Sequence, residues 1–171
     1  IYLPAIDEND PVFPPADDAL NDPDGLLAIG GQLNSITLLR AYQQGIFPWF
    51  EEGRSILWWS PSERAVLVPG TEHCSRSMAK LIKKGRYTVT TDQCFDLVIK
   101  NCSAERSYSS GTWITQDMQS AYIELHRLGH AHSVECWRGD NLVGGLYGVQ
   151  VGSLFCGESM FSRESNASKI A

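Results

Sequence analysis

From residue 131 to 162 the chain reads AHSVECWRGDNLVGGLYGVQVGSLFCGESMFS, where apolar and polar positions alternate or give way to short apolar runs broken by glycine. Ala131 to Trp137 has the period of a strand, Arg138-Gly139-Asp140-Asn141 that of a turn, and Leu142 to Val149 is apolar enough for a strand buried on both faces. Val151 to Cys156 predicts a third strand, with Gly157-Glu158-Ser159 as a polar turn at its end. Glycines at 144, 145, 148, 152 and 157 remove side chains where a strand favours Val or Ile. That pattern fits a bulged, twisted hairpin, or a place where another backbone or a ligand must come close.

Upstream the period changes. Thr115 caps a helix whose inner stripe is Met118, Ala121, Tyr122, Leu125 and Leu128, and Gly129 ends it. A second helix, capped by Thr91 or Asp92 and running to about Asn101, keeps Phe95, Val98 and Cys102 in register. Arg64 to Val68 and Arg86 to Thr90 read as strands, with a helix over 75–85 between them. Further back, Ser35 caps a helix to about Gln44, with Leu38, Leu39 and Tyr42 inward and Gly45 at its stop. Residues 47–61 hold Phe47, Trp49, Phe50, Trp58 and Trp59 beside two prolines, a non-helical region in which some of the aromatic rings stack on something other than core. Residues 1–24 are rich in Pro and Asp and read as an extended arm. The order of elements predicts an α+β fold with a mixed sheet: a small N-terminal domain over 1–62 and a larger one over 63–171.

Charge sharpens this division. Residues 1–39 carry seven acids and no Lys or Arg, whereas the remainder has 13 acids against 14 bases. Arg76, Lys80, Lys83, Lys84 and Arg86 fall within eleven residues that hold no carboxylate, and 76, 80, 83 and 84 share one helical face. A merely solvated face mixes signs to gain i,i+4 pairs, so this stripe is read as a contact for a phosphate backbone, with anionic lipid the weaker alternative. The chain has 171 residues and no apolar run of about 18, and no basic-then-apolar leader, which excludes a helical membrane span and a secretory signal and makes the cytoplasm the expected location. Five widely spaced cysteines without a C-x-x-C pair argue against a disulfide framework or a zinc knuckle, and are read as small buried hydrophobes.

Three constellations carry less than their letters suggest. His126, His130 and His132 have ligand-like spacing, but Gly129 breaks the helix between the first two, so no metal site is expected. The glycines of 144–148 lack a following helix and a Lys, and form neither a phosphate loop nor a dinucleotide fingerprint. Gly157-Glu158-Ser159-Met160 does not match the nucleophile elbow.

Several motifs together resemble the leucyl/phenylalanyl-tRNA-protein transferases. They are Gly25-Leu26-Leu27-Ala28 with Gly30-Gly31, Gly45-Ile46-Phe47-Pro48-Trp49, Trp58-Trp59-Ser60-Pro61, His73 with Ser75-Arg76-Ser77, and Thr112-Trp113-Ile114. Leu125-His126, Ala131-His132-Ser133 and Leu142-Val143-Gly144-Gly145 through Gly157-Glu158-Ser159-Met160-Phe161-Ser162 complete the set, which spans about residue 13 to the end. Gln32 departs from the Asp usual after the paired glycines, which touches a local hydrogen bond.

The resemblance implies transfer of Leu or Phe from an aminoacyl-tRNA to the N-terminal amine of proteins that begin with Arg or Lys, marking them for degradation. It also implies a GNAT-like acyltransferase fold for the second domain, and no cofactor, membrane or DNA partner. By the same resemblance Trp49 and Trp113 pack around the tRNA's terminal adenosine and the aminoacyl group, Leu146 lines the pocket for an unbranched-Cβ side chain, and Glu158, with Ser159 beside it, orients the aminoacyl end. Arg76, Lys80, Lys83 and Lys84 match the tRNA-binding cluster. The family's amine-activating Asp and Gln are expected beyond Ala171, so a chain ending there is expected to be inactive and to lack strands of its sheet. Two rivals stay open at this level: a tRNA-binding module without catalysis, and an N-acetyltransferase of the GNAT type, although the latter needs a pyrophosphate loop that is not found in the sequence.

Overall fold

The computed structural model describes residues 2–104 and 112–171. They divide into two compact units, 2–64 with 112–125 and 65–104 with 126–171. The fold is α+β, with one mixed and one antiparallel sheet.

In the first unit, β1 (Ala5–Ile6), β2 (Leu26–Gly30), β3 (Phe47–Pro48) and β4 (Leu57–Trp59) make a sheet in the order β1-β2-β4-β3. Its one parallel pair, β1 with β2, is where the N-terminal arm is tied down, and Ile6 and Phe13 bury their side chains there. Trp58 sits fully buried at the centre, with Phe13 edge-on at 4.9 Å. Its indole N–H donates to the Gly30 carbonyl at 2.9 Å, which removes the cost of burying that donor. Helix α1 (Ser35–Tyr42) starts one residue earlier than its predicted cap: Asn34 is the N-cap, and its side chain accepts from the Thr37 amide at 2.9 Å. Helix α4 (Gln116–Arg127) begins as expected, with Thr115 Oγ1 accepting from the Met118 amide, and buries Met118, Ala121, Tyr122 and Leu125. Tyr42 of α1 and Tyr122 of α4 share a buried hydroxyl–hydroxyl hydrogen bond of 2.5 Å.

The second unit holds β5 (Thr88–Thr91), β6 (Ala131–Arg138), β7 (Asn141–Val151) and β8 (Leu154–Ser162), paired antiparallel throughout in that order. Tight turns join β6 to β7 and β7 to β8, and such turns permit only antiparallel neighbours. The third strand of the meander therefore runs to Ser162, and Gly157, Glu158 and Ser159 lie inside it rather than in a turn after it. Helix α3 (Phe95–Ser103) covers the face bearing Gly145 and Tyr147, where a Cβ on Gly145 would lie 3.5 Å from Val98. Helix α5 (Ala167–Ile170) covers part of the other face, at Gly144. Helix α2 (Arg76–Lys83) is capped by Ser75 and buries none of its residues.

Two sequence expectations are corrected here, and one alternative left open is decided. Residues 64–68 are not a strand: among the described residues nothing pairs with them, and an apolar run alone cannot satisfy backbone N–H and C=O groups. Cys74 is exposed, whereas Cys102 and Cys136 are buried as read. The glycines of β7 admit protein rather than ligand. A Cβ on Gly144 would stand 2.7 Å from Ala167, and one on Gly148 would stand 2.4 Å from the Cys156 carbonyl and 2.6 Å from the Phe155 ring. Only at Gly157 of the β7–β8 ladder is the space open.

The histidine cluster resolves into structure. Gly129, at φ +80°, ends α4, and His126 turns back to donate Nδ1–H to the Ala131 carbonyl at 2.8 Å while stacking on Phe95 at 4.3 Å. His132 donates Nδ1–H to Asp92 at 2.7 Å, and the other Asp92 oxygen accepts the Ser133 amide at 2.8 Å. Asp92 thus serves β6 instead of capping α3, from a left-handed backbone conformation at φ +56°. Among the described residues no group of three side chains could hold a metal.

Two expectations follow from this packing. Gly148→Ala should destabilise the protein by about 1–3 kcal/mol through overpacking against backbone, while Gly157→Ala should stay within about 0.5 kcal/mol; equilibrium urea unfolding of the two variants compares them. Burial opposes ionisation of Asp92, but the hydrogen bonds from His132 and the Ser133 amide, with the nearby imidazole charges, outweigh it and hold the carboxyl below its ordinary 3.8. A depressed carboxyl contributes stability that is present above 3.8 and lost as pH falls through the folded value. The urea midpoint of Asp92→Asn should accordingly fall less steeply than that of the parent on acidification below about pH 4; parallel slopes would contradict the assignment.

Candidate functional site

The β7–β8 ladder is regular from Gly144↔Ser162 to Tyr147↔Ser159, then resumes at Gly148↔Gly157. Glu158 is the residue left over. It occupies a β-bulge, the device by which a strand takes one side chain out of the inside–outside alternation and aims it elsewhere. Glu158 is half-buried there, and its carboxylate is close enough to Tyr147 to act on it: burial first, then Glu158, raises the Tyr147 phenol well above its ordinary range, so that it stays protonated. Tyr147 itself is fully buried, edge-on to Phe95 at 5.8 Å.

Alternation from the bulge sorts the neighbouring residues. Ser159 is the cross-strand partner of Tyr147 and shares its face, while Leu146 and its partner Met160 project from the opposite one. Met160 is 52% exposed, although a methionine gains by burial. Beyond that pair the row Gly148–Gly157 has no side chains, and the exposed ring of Phe155 lies over Gly148. The result is a shallow apolar surface of Leu146, Met160 and Phe155, with a displaced carboxylate two residues from Met160. Such a surface suits an unbranched apolar side chain that carries an amino group. The sequence pointed to Leu146, Glu158 and Ser159; it missed Met160, Phe155 and Tyr147, for which the only signal was cross-strand register.

Trp49 and Trp113 belong to the first unit. Trp49 is 51% exposed, and its ring partner is Trp59, at 5.5 Å and tilted by 60°. Trp113 is half-buried in the segment leading to α4, just before the buried Ile114 and Thr115. A cleft of about 550 Å³ in this unit is lined by Gln32, Phe50, Arg54, Thr115 and Asp117 among others, and by neither tryptophan. The polar edge of that cleft includes the N-terminal turn of α4.

Arg76, Lys80, Lys83 and Lys84 are all exposed along α2 and its C-terminal cap. None forms an ion pair among the described residues. Lys80 and Lys83 lie in the last turn, where the carbonyl end of the helix favours positive charge. That favourable term is small against mutual repulsion of four cations on one short helix, so the stripe stands ready for an external polyanion. No helix in the described residues is long and apolar enough to cross a membrane.

Comparison with known proteins identifies the family. Residues 66–171 match the family model described as leucyl/phenylalanyl-tRNA protein transferase, and residues 31–62 match that of the N-terminal domain of the same enzymes. The chain is 58% identical over 165 residues to the leucyl/phenylalanyl-tRNA--protein transferase of Pseudomonas syringae pv. tomato, covering 96% of this chain and 72% of that protein. It is 54% identical over 171 residues to the protein of the same name from Psychromonas ingrahamii, covering 100% of this chain and 72% of the relative. A third, from Pseudomonas fluorescens, is 59% identical over 164 residues, 96% of this chain and 73% of the relative. With both of its parts matched and identities at this level, the chain belongs to the leucyl/phenylalanyl-tRNA protein transferase family.

Proposed function

We propose that this chain moves Leu or Phe from an aminoacyl-tRNA to the α-amine of a protein beginning with Arg or Lys, acting in the cytoplasm and marking the product for degradation. Family membership supports the transfer. The observation that carries the local assignment is the carboxylate of Glu158, displaced by its bulge beside the half-buried Leu146 and the exposed Met160. The four antiparallel strands, with helices on both faces and a bulge in the last strand, support reading the second unit as a GNAT-like acyltransferase fold.

The chemistry asks little of covalent catalysis. An aminoacyl ester is already activated: the incoming amine attacks its carbonyl, a tetrahedral oxyanion forms, and the ribose hydroxyl of the terminal adenosine leaves. What remains is to hold the reactants and stabilise charge. In the second unit Leu146, with Met160, takes the Leu or Phe side chain, and Glu158 accepts from the amino group of the donor aminoacyl moiety, with Ser159 beside it on the strand. In the first, Trp49 and Trp113 pack on the terminal adenosine, at roughly 1–3 kcal/mol per stacked base. Arg76, Lys80, Lys83 and Lys84 contact phosphates without reading sequence.

Incubation of the intact protein with labelled Leu-tRNA or labelled acetyl-CoA and a peptide starting with Arg tests the reading: label should move from Leu-tRNA only, and movement from acetyl-CoA would overturn it. Glu158→Gln should lower kcat/KM for Leu transfer roughly 10- to 100-fold, the effect of losing one hydrogen bond to a charged group. Lys83→Glu with Lys84→Glu should weaken tRNA binding and flatten its dependence on log salt by about 0.9 per lost phosphate contact; filter binding across a salt series measures both, and unchanged affinity would return the stripe to plain solvation.

A further inference from the structure

The β3–β4 hairpin presents more aromatic surface than one nucleoside can use. Phe47 pairs with Trp59 and Pro48 with Trp58, and the ladder continues through the Trp49 amide, which donates to the Leu57 carbonyl at 2.9 Å. Alternation therefore puts Phe47, Trp49 and Trp59 on one face, and the buried Pro48 and Trp58 on the other. Trp49 is fixed from both sides of its backbone, because the Trp59 indole N–H donates to its carbonyl at 2.8 Å. Its exposed ring thus projects from a hydrogen-bonded backbone and leans on the Trp59 ring at 5.5 Å.

At the other end of the same face, the exposed Arg64 lays its guanidinium 5.0 Å from the Phe47 ring centroid and donates to the Gly45 carbonyl at 3.2 Å. One ring and one carbonyl hold the planar group, and its other donors remain available to a phosphate. Phe47 and Trp49 are two residues apart on a strand, about 6.6 Å, so the guanidinium plane carried on Phe47 and the exposed ring of Trp49 make two stacking places rather than one.

We propose that this face, Phe47, Trp49 and Trp59 with Arg64, is a stacking surface for the single-stranded 3′ end of the donor RNA, taking the nucleotide that precedes the terminal adenosine as well as the adenosine itself. Aromatic rings accept any base by its π-face, and a neighbouring guanidinium both stacks and meets the intervening phosphate. A cation held on an aromatic strip favours an anionic, planar ligand over a neutral apolar one, which sets RNA above a peptide or a lipid. The inference rests on the transferase reading, and adds a second nucleotide to it.

The test compares two non-hydrolysable 3′-leucylamido ligands, one built on adenosine and one on the dinucleotide CpA, by quenching of intrinsic tryptophan fluorescence. The dinucleotide should bind roughly fivefold or more tightly. Arg64→Met and Phe47→Leu, both conservative in bulk and the first at an exposed position, should erase the difference between the two ligands. Equal affinity of the unaltered protein for both ligands would overturn the proposal, as would an advantage that survives Arg64→Met. If the adenosine ligand binds and cytidine adds nothing, only the second nucleotide is lost; if neither ligand nor intact Leu-tRNA binds, the transferase reading fails and takes this inference with it.

Discussion

Strand β7 has to be the middle of a layered unit while contributing almost no thickness to it, and much of the second unit is arranged around that requirement. Its three glycines meet three different occupants: the backbone of α5 at Gly144, the Phe161 ring and Val98 of α3 at Gly145, and the Phe155 ring at Gly148. A Cβ at Gly144, Gly145 or Gly148 would stand 2.7 Å from Ala167, 2.9 Å from the Val134 carbonyl or 2.4 Å from the Cys156 carbonyl, closer than packed atoms come. Two helices and an aromatic ring can therefore approach the same strand from opposite faces. The bulge that displaces Glu158 starts where the last of these contacts ends, between Tyr147 and Gly148, so close packing and the aim of the carboxylate are adjacent parts of one ladder.

The one fully buried carboxylate of that unit among the described residues is held by hydrogen bonds rather than by an ion pair. Glu135 is fully buried and accepts from the hydroxyls of Thr90 and Ser133, at 2.5 and 2.6 Å. Thr90 in turn accepts the Trp137 indole N–H at 2.8 Å. Burial, with the Glu135 charge adding to it, pushes the Cys94 thiol up to about 11. A thiol held that high is not a thiolate at neutral pH, which keeps sulfur chemistry away from the helix start where Cys94 sits. Asp92, by contrast, is drawn toward ionisation by its two histidines and the Ser133 amide, and fastens the end of β5 to β6.

Sequence was most informative where a period extended over several turns or where a motif was dense. Of the predicted stripe Met118, Ala121, Tyr122 and Leu125 are buried and Gly129 ends α4 as expected, but Leu128, just past the last helical residue Arg127, is 51% exposed. Caps were legible in kind more than in place, since Asn34 and Ser35 offer the same chemistry one residue apart. The strand read at 64–68 failed because an aliphatic run gives propensity only, and a strand also needs a neighbour. Local motif also marked Leu146, Glu158 and Ser159 as interesting, but could not reveal that a bulge separates Glu158 from its alternation, or that Leu146 and Ser159 face opposite ways. Both depend on register with another strand, which no window of sequence contains. For the same reason the glycines left a bulge, a close backbone or a ligand open, and it is the bulge and the close backbone that the strand pairing supplies.

The segment that failed to be a strand has a consequence of its own. Val66, Leu67 and Val68 are 75, 72 and 56% exposed, an aliphatic run with high strand propensity and no partner within the described residues. Chains with such runs tend to associate with one another at high concentration. Here the run is short, and it is bounded by Glu63 and Arg64 on one side and by Pro69 on the other. Charges and a residue without an N–H are what limits edge-to-edge growth of a sheet. The sequence on either side of these three residues thus acts as a guard against self-association.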